Sequence, residues 1–68
     1  MERKIEYQIA FALSRAAEAK SGACFAAWYE VAGKFDDARK ALRNGFTDAA
    51  LRHLKAARRA AAFAEGVK

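Results

Sequence analysis

The sequence predicts an all-α protein, and three features of its composition lead to that prediction. Nineteen of the 68 residues are alanine, the best helix former, and proline, the strongest helix breaker, is absent. Residues that favour strands are few, with two valines, two isoleucines and one threonine. Apolar residues recur at the helical spacings of three and four. We therefore expect a single domain, residues 1–68, folded as a small bundle of three to four helices.

The first helix is predicted over about residues 2–20. Tyr7 and Phe11 form an apolar pair, four residues apart, on nearly the opposite side from its main apolar stripe. Ser21-Gly22 is the only weak point before Gly33, so the helix either breaks there or continues to Ala32. The main stripe, predicted to face the core, is Ile5, Ile9, Ala12, Ala16 and Ala19.

The second predicted helix covers about residues 23–32 and is mostly apolar. Phe25, Trp28, Tyr29 and Val31 leave it little solvent-exposed face. Gly33 is the predicted C-terminal stop of this helix, because glycine is the residue most often found just beyond a helix end.

Two further helices are predicted, over about residues 36–43 and 48–64. Asp36 and Thr47 are the expected N-caps, because their side-chain oxygens can accept a hydrogen bond from a free backbone N–H. Asn44-Gly45 is expected to end the shorter helix. The core stripe of the last helix is Ala50, Leu54, Ala57, Ala61 and Ala64.

Residues 25–42 contain a pattern formed by Ala26, Tyr29, Gly33, Phe35, Ala38 and Leu42. This pattern resembles the centre of a tetratricopeptide repeat. In that family two antiparallel helices meet at a Gly-x-Tyr/Phe-x-x-Ala turn, and stacked repeats bind peptides. The resemblance covers about a quarter of the chain and implies a helical hairpin with its turn at Gly33, together with protein binding. No terminal proline and no second copy follow, and no peptide-binding residue is carried over.

The residues that catalysis or metal binding would need are scarce. Cys24 is the only cysteine and His53 the only histidine, which excludes an internal disulfide and a structural zinc site. Both are interpreted as ordinary helix residues, and the aspartates at predicted helix starts as caps. The longest apolar run, residues 23–29, is far too short for a membrane span. We expect no enzyme, no cofactor, no metal, no membrane partner and a cytoplasmic location.

The net charge of +5 is concentrated in the second half of the chain. Residues 1–33 carry four basic and four acidic side chains, whereas residues 34–68 carry nine basic and four acidic ones. This asymmetry indicates an acidic protein surface or nucleic acid as partner, or else only a solvated face. The candidate nucleic-acid-binding residues are Arg39, Lys40, Arg43, Arg52, Lys55, Arg58 and Arg59.

Exposed aromatic residues indicate a protein interface. A chain of this length buries only about 60% of the surface of its unfolded form, so we expect help from a homodimer or another protein. The leading hypothesis is a non-enzymatic protein-binding module, acting as a stand-alone inhibitor, antiactivator or adaptor of the kind that phages also encode. The alternatives are a nucleic-acid-binding regulator and a structural subunit. The candidate protein-binding residues are Tyr7, Phe11, Phe63, Arg43, Arg52, Lys55 and Arg59.

Overall fold

Three helices make up the fold in the computed structural model, which describes residues 2–67. They are α1 (Glu2–Ala17), α2 (Gly22–Arg43) and α3 (Thr47–Gly66), and residues 2–67 contain no strand. The predicted all-α class is confirmed. The number of helices is three, because the predicted second and third helices are one.

The helix breaks before Ser21-Gly22, which decides between the two alternatives left open by the sequence, a break there or a continuation to Ala32. α1 ends at Ala17, three residues before the predicted end. Ser21 then takes an extended backbone conformation and its side-chain oxygen accepts a hydrogen bond from the Cys24 N–H at 3.1 Å. Serine at this position satisfies one of the backbone donors left free at a helix start. The break at residues 18–21 therefore lets α2 fold back along α1.

α2 continues through Gly33, so the predicted stop there, and the turn implied at that glycine, are wrong. Gly33 lies inside the helix and has no positive φ. A glycine in a helix interior costs about 1 kcal/mol relative to alanine. Val31 and Phe35 are both buried on either side of it, at roughly 1.5–3 kcal/mol each if fully buried. Their packing outweighs the local cost, and residues 25–42 form part of one helix.

Asp36 is in the middle of α2 and is not an N-cap. Its carboxylate accepts a hydrogen bond from Arg39 at 2.5 Å and forms an ion pair with Lys40 at 3.1 Å. The hydrogen bond from Lys40, and then that from Arg39, lowers the pKa of Asp36 below its usual value. The aspartate therefore supports the helix through pairs three and four residues apart, in place of starting a new one.

A Schellman motif ends α2. Gly45 has a φ of 79°, and its N–H donates to the Leu42 carbonyl at 3.1 Å. The Phe46 N–H donates to the Ala41 carbonyl at 2.9 Å, which completes the motif. Phe46 is then the residue before α3, and Thr47 is the first residue of α3, not its predicted cap. The predicted turn at residues 44–45 is confirmed.

α1 and α3 each pack along α2, with their backbones apart from one another. Among the described residues, no Cα atom of α1 lies within 8 Å of a Cα atom of α3. The central helix supplies the largest fully buried side chains, Trp28 and Val31. Most of both predicted stripes is confirmed, with Ile9 and Ala61 only partly buried. Ala19, also predicted for the first stripe, lies beyond the end of α1 and is only partly buried. The buried stripe residues of the outer helices are Ile5, Ala12, Ala16, Ala50, Leu54, Ala57 and Ala64.

Candidate functional sites

Two of the three candidate cations on α2 are paired with acidic residues of α1. The Arg43 Nε donates to Glu2 Oε1 at 2.5 Å, and its Nη2 lies 3.7 Å from Glu6 Oε1. The Arg39 Nη1 lies 3.9 Å from the same Glu6 oxygen. The hydrogen bond that Arg43 donates to Glu2 raises the pKa of Arg43 above its usual value. These pairs hold α1 antiparallel to α2 and leave little net charge on that flank.

The third candidate cation of α2, Lys40, is paired within its own helix with Asp36. All three candidate cations of α2 therefore have acidic partners. By contrast, no cation of α3 forms an ion pair with any residue in the range 2–67, and all four are exposed: Arg52, Lys55, Arg58 and Arg59.

The α3 cations divide between two sides of that helix. Arg58 lines the space between α1 and α3, together with Leu54. Arg59 lines a shallow depression between α2 and α3, together with Phe63, which is 70% exposed. We call Arg52, Lys55, Arg59 and Phe63 the outer α3 face, because their spacing places them on the side away from the buried Leu54 and Ala57.

Tyr7 and Phe11 do not act as an equivalent pair. Tyr7 is 70% exposed, whereas the Phe11 ring packs edge-on against Trp28 with 5.9 Å between ring centroids. The Arg15 guanidinium lies over both rings, 4.8 Å from the Trp28 centroid and 5.9 Å from that of Phe11. Such cation–π and edge-to-face contacts stabilise the rings they join. Phe11 therefore packs partly against the core, and 40% of its surface remains exposed.

The predicted protein-binding residues are not brought into one surface. Tyr7 and Phe11 are on α1 and the outer α3 face is on α3, and the described residues of these two helices have no Cα atoms within 8 Å of each other. Arg43 is at the end of α2 and is engaged by Glu2.

An aromatic surface that the sequence reasoning missed lies on α1 and α2. The Phe25 and Tyr29 rings stack with 5.7 Å between centroids, yet they remain 48% and 58% exposed. Leu13, 44% exposed, is two turns beyond Glu6 on the α1 flank that pairs with α2. Because the helices are antiparallel, this places it level with Ala32, within one turn of Tyr29. We call Leu13, Phe25 and Tyr29 the aromatic patch.

The expectation that Phe25 and Tyr29 leave α2 little exposed face is therefore wrong. A usable signal existed in the four-residue spacing of Phe25 and Tyr29. In one long helix, the buried stripe of Trp28, Val31 and Phe35 places that pair on a flank. The predicted helix end at Gly33 separated Phe35 from Trp28 and Val31, so the buried stripe was not recognised as continuous.

A groove of about 560 Å³ runs between α1 and α3. Its apolar lining comes from all three helices, with Phe35 of α2 between Ile5 of α1 and Leu54 of α3. Lys4 and Arg58 bring positive charge to it from opposite sides, and neither forms an ion pair with a described residue. The remaining lining residues are Gln8 and Ala61. We call this the inter-helix groove.

Within residues 2–67, no helix is both long and apolar enough to cross a lipid bilayer. The same residues hold no group of three or more histidine, cysteine, aspartate and glutamate side chains arranged to bind a metal ion. No family model, curated protein or solved structure matches the chain.

Proposed function

We propose that this chain is a non-enzymatic protein-binding module that acts by docking on another protein, as an inhibitor, antiactivator or adaptor. The observation that carries the proposal is the distribution of apolar side chains. Nine of the fourteen buried apolar residues are alanines, whereas eight large apolar side chains of residues 2–67 are at least 40% exposed. A chain that keeps small residues inside and aromatic ones outside has apolar surface to offer to a partner.

The aromatic patch is the surface best suited to this role. Full burial of one large apolar side chain is worth roughly 1.5–3 kcal/mol, so Leu13, Phe25 and Tyr29 together offer several kcal/mol. Tyrosine and phenylalanine are enriched in protein interfaces, and tyrosine is among the residues that dominate binding energy. The stacking of the two rings limits their motion before binding, which reduces the entropy lost on docking.

The test is affinity capture from nuclease-treated lysate with Phe25→Ser and Tyr29→Ser combined. We expect a captured protein whose recovery falls by about tenfold or more in the double variant, as loss of two interface aromatics predicts. Tyr7→Ser is the control, because Tyr7 is an aromatic residue even more exposed than Phe25 and Tyr29 but lies outside the patch. Far-UV circular dichroism checks that all variants stay folded. Equal recovery with the wild type and the double variant would contradict the patch assignment.

Nucleic-acid binding is the second candidate, and the four unpaired cations of α3 favour it. If four phosphates are contacted, affinity for a duplex falls by about a hundredfold between roughly 50 and 200 mM salt. Fluorescence anisotropy with labelled DNA and RNA measures this dependence. Arg52→Glu, Lys55→Glu and Arg59→Glu together should then abolish binding, whereas the aromatic-patch variant should leave it unchanged. The opposite pattern supports protein docking.

A further inference from the structure

We propose that the inter-helix groove binds an amphipathic helix of a partner protein that carries acidic residues beside its apolar stripe. This site is separate from the aromatic patch, and the inference does not depend on the patch. A chain with both surfaces would connect two partners, which is the adaptor form of the proposed function.

The first argument is the open arrangement of the helices. α1 and α3 both pack on α2, and among the described residues they have no Cα atoms within 8 Å of each other. The inter-helix groove forms a trough between residues 4–8 of α1 and 54–61 of α3. α1 and α3 are both antiparallel to α2, so they run in the same direction. A fourth helix in the trough would contact α1 and α3 together and would complete a four-helix arrangement.

The second argument is the residue spacing along the two walls of the trough. One stripe on α1 and one on α3 repeat at separations of three and four, which averages 3.5 residues. This spacing places the residues of each stripe on one side of its helix, where a helix in the groove can contact them in succession. The groove-lining part of each stripe is Lys4 and Gln8 on α1 and Leu54, Arg58 and Ala61 on α3. The same spacing continues to Phe11 and Arg15 on α1 and to Leu51 on α3.

The third argument is charge. The acidic residues of α1 that face α2, Glu2 and Glu6, are on the other flank and are neutralised by α2 arginines. The groove flank instead carries Lys4 and Arg58, which have no acidic partner among residues 2–67. One acidic residue, Glu65, continues the α3 stripe beyond Ala61. An apolar floor between two unpaired cations is complementary to a helix with carboxylates on both sides of its apolar stripe.

The same charges argue against a second copy of this chain as occupant. In a two-fold symmetric dimer the same surface of each copy faces the other. Lys4 and Arg58 would then be opposed by lysine and arginine, and like charges across an interface are unfavourable. The occupant is therefore a chain of different composition.

The test uses a synthetic helical peptide of about three heptads, with leucine at positions a and d and glutamate at e and g. A second peptide carries lysine in place of every glutamate. Isothermal titration with the full chain should show binding of the acidic peptide and none of the basic one. Amide chemical shifts in NMR spectra should change at Ile5, Gln8 and Leu54, which line the groove.

Two double variants with the same change of charge locate the site. Lys4→Glu with Arg58→Glu should raise the Kd for the acidic peptide by about tenfold or more, because both cations would become repulsive. Arg52→Glu with Arg59→Glu should raise it by less than about threefold, because surface charges away from the ligand are screened. All four residues are exposed, so folding should be retained, and circular dichroism verifies this. The aromatic-patch variant should bind the peptide normally, which separates this proposal from the proposed function.

Several results would overturn the proposal. Equal weakening by both double variants would mean that the peptide responds only to net charge. Equal binding of the basic peptide would remove the charge argument. A dimer, seen by light scattering and lost in Lys4→Glu with Arg58→Glu, would make a second copy the occupant. Binding to phosphatidylglycerol vesicles with the same dependence on these residues, without peptide binding, would assign the groove to a lipid surface.

Discussion

Gly33 and Gly45 are the same residue type in opposite structural roles. Gly45 has a φ of 79° and closes the turn after α2, where a side chain would be strained. Gly33 has no positive φ, and a Cβ atom added to it would meet no other atom within 4 Å. The helix therefore tolerates Gly33 without needing it, whereas the turn needs Gly45.

This difference predicts opposite effects of the same substitution. Gly33→Ala should raise the free energy of unfolding by about 0.4–1 kcal/mol, because alanine loses less conformational entropy on folding and is accommodated without strain. Gly45→Ala should lower that free energy by about 1 kcal/mol or more, because alanine disfavours a positive φ. Urea unfolding followed by far-UV circular dichroism measures both. A destabilising Gly33→Ala would mean that the glycine serves a close contact.

At the scale of the element, local hydrogen bonds cap both ends of α2. Its start has the Ser21 side chain on the Cys24 N–H, and its end has the paired backbone hydrogen bonds around Gly45. Between them, Asp36 with Arg39 and Lys40 supplies local pairs of the kind that stabilise helices. α3 begins at Thr47 without a side-chain cap, so its start depends on the preceding turn.

We expect Ser21→Ala to lower the free energy of unfolding by about 1 kcal/mol, the usual effect of removing an N-cap side chain. Ser21→Asp is the control, because aspartate is an equally good N-cap and should retain most of the stability. Thermal unfolding should show a fall in Tm of about 4–8 °C for the alanine variant only, as expected for a domain of this size. An equal fall in the aspartate variant would show that the cap hydrogen bond is not the source.

At the scale of the whole molecule, alanine determines how the helices meet. Ala12, Ala38 and Ala57, one from each helix, are fully buried, so the helix surfaces approach closely at these points. The use of alanine at these buried positions makes the core small and leaves larger apolar residues on the outside. It also leaves α1 and α3 apart, and the inter-helix groove follows from that separation.

Replacing one of these buried alanines with a larger residue should lower the stability of the fold. Ala57→Leu should lower the free energy of unfolding by about 1–3 kcal/mol, because a packed site cannot take a larger side chain without displacing its neighbours. Ala62→Leu is the control on the same helix, since Ala62 is exposed and leucine has nearly the same helix propensity. Urea unfolding of both variants provides the comparison. If the two variants have equal stability, the contact at Ala57 is loosely packed.

The sequence by itself determined the features that depend on neighbours a few residues away. Alanine content and the absence of proline decide the all-α class, Gly45 decides the turn, and the stripes through Ile5 and Leu54 decide which sides face the core. Only the tertiary structure decided whether α2 passes through Gly33, because the packing of Val31 and Phe35 outweighs a local preference of about 1 kcal/mol.

The candidate sites depend even more on tertiary structure. Arg43 and Glu2 are forty-one residues apart in the chain, and only the fold brings them together and removes Arg43 from the basic surface. The aromatic patch and the inter-helix groove both involve more than one helix, and no local pattern specifies how two helices are turned toward each other. Local preference acts within a turn of helix, whereas the surfaces of this protein arise from contacts between helices.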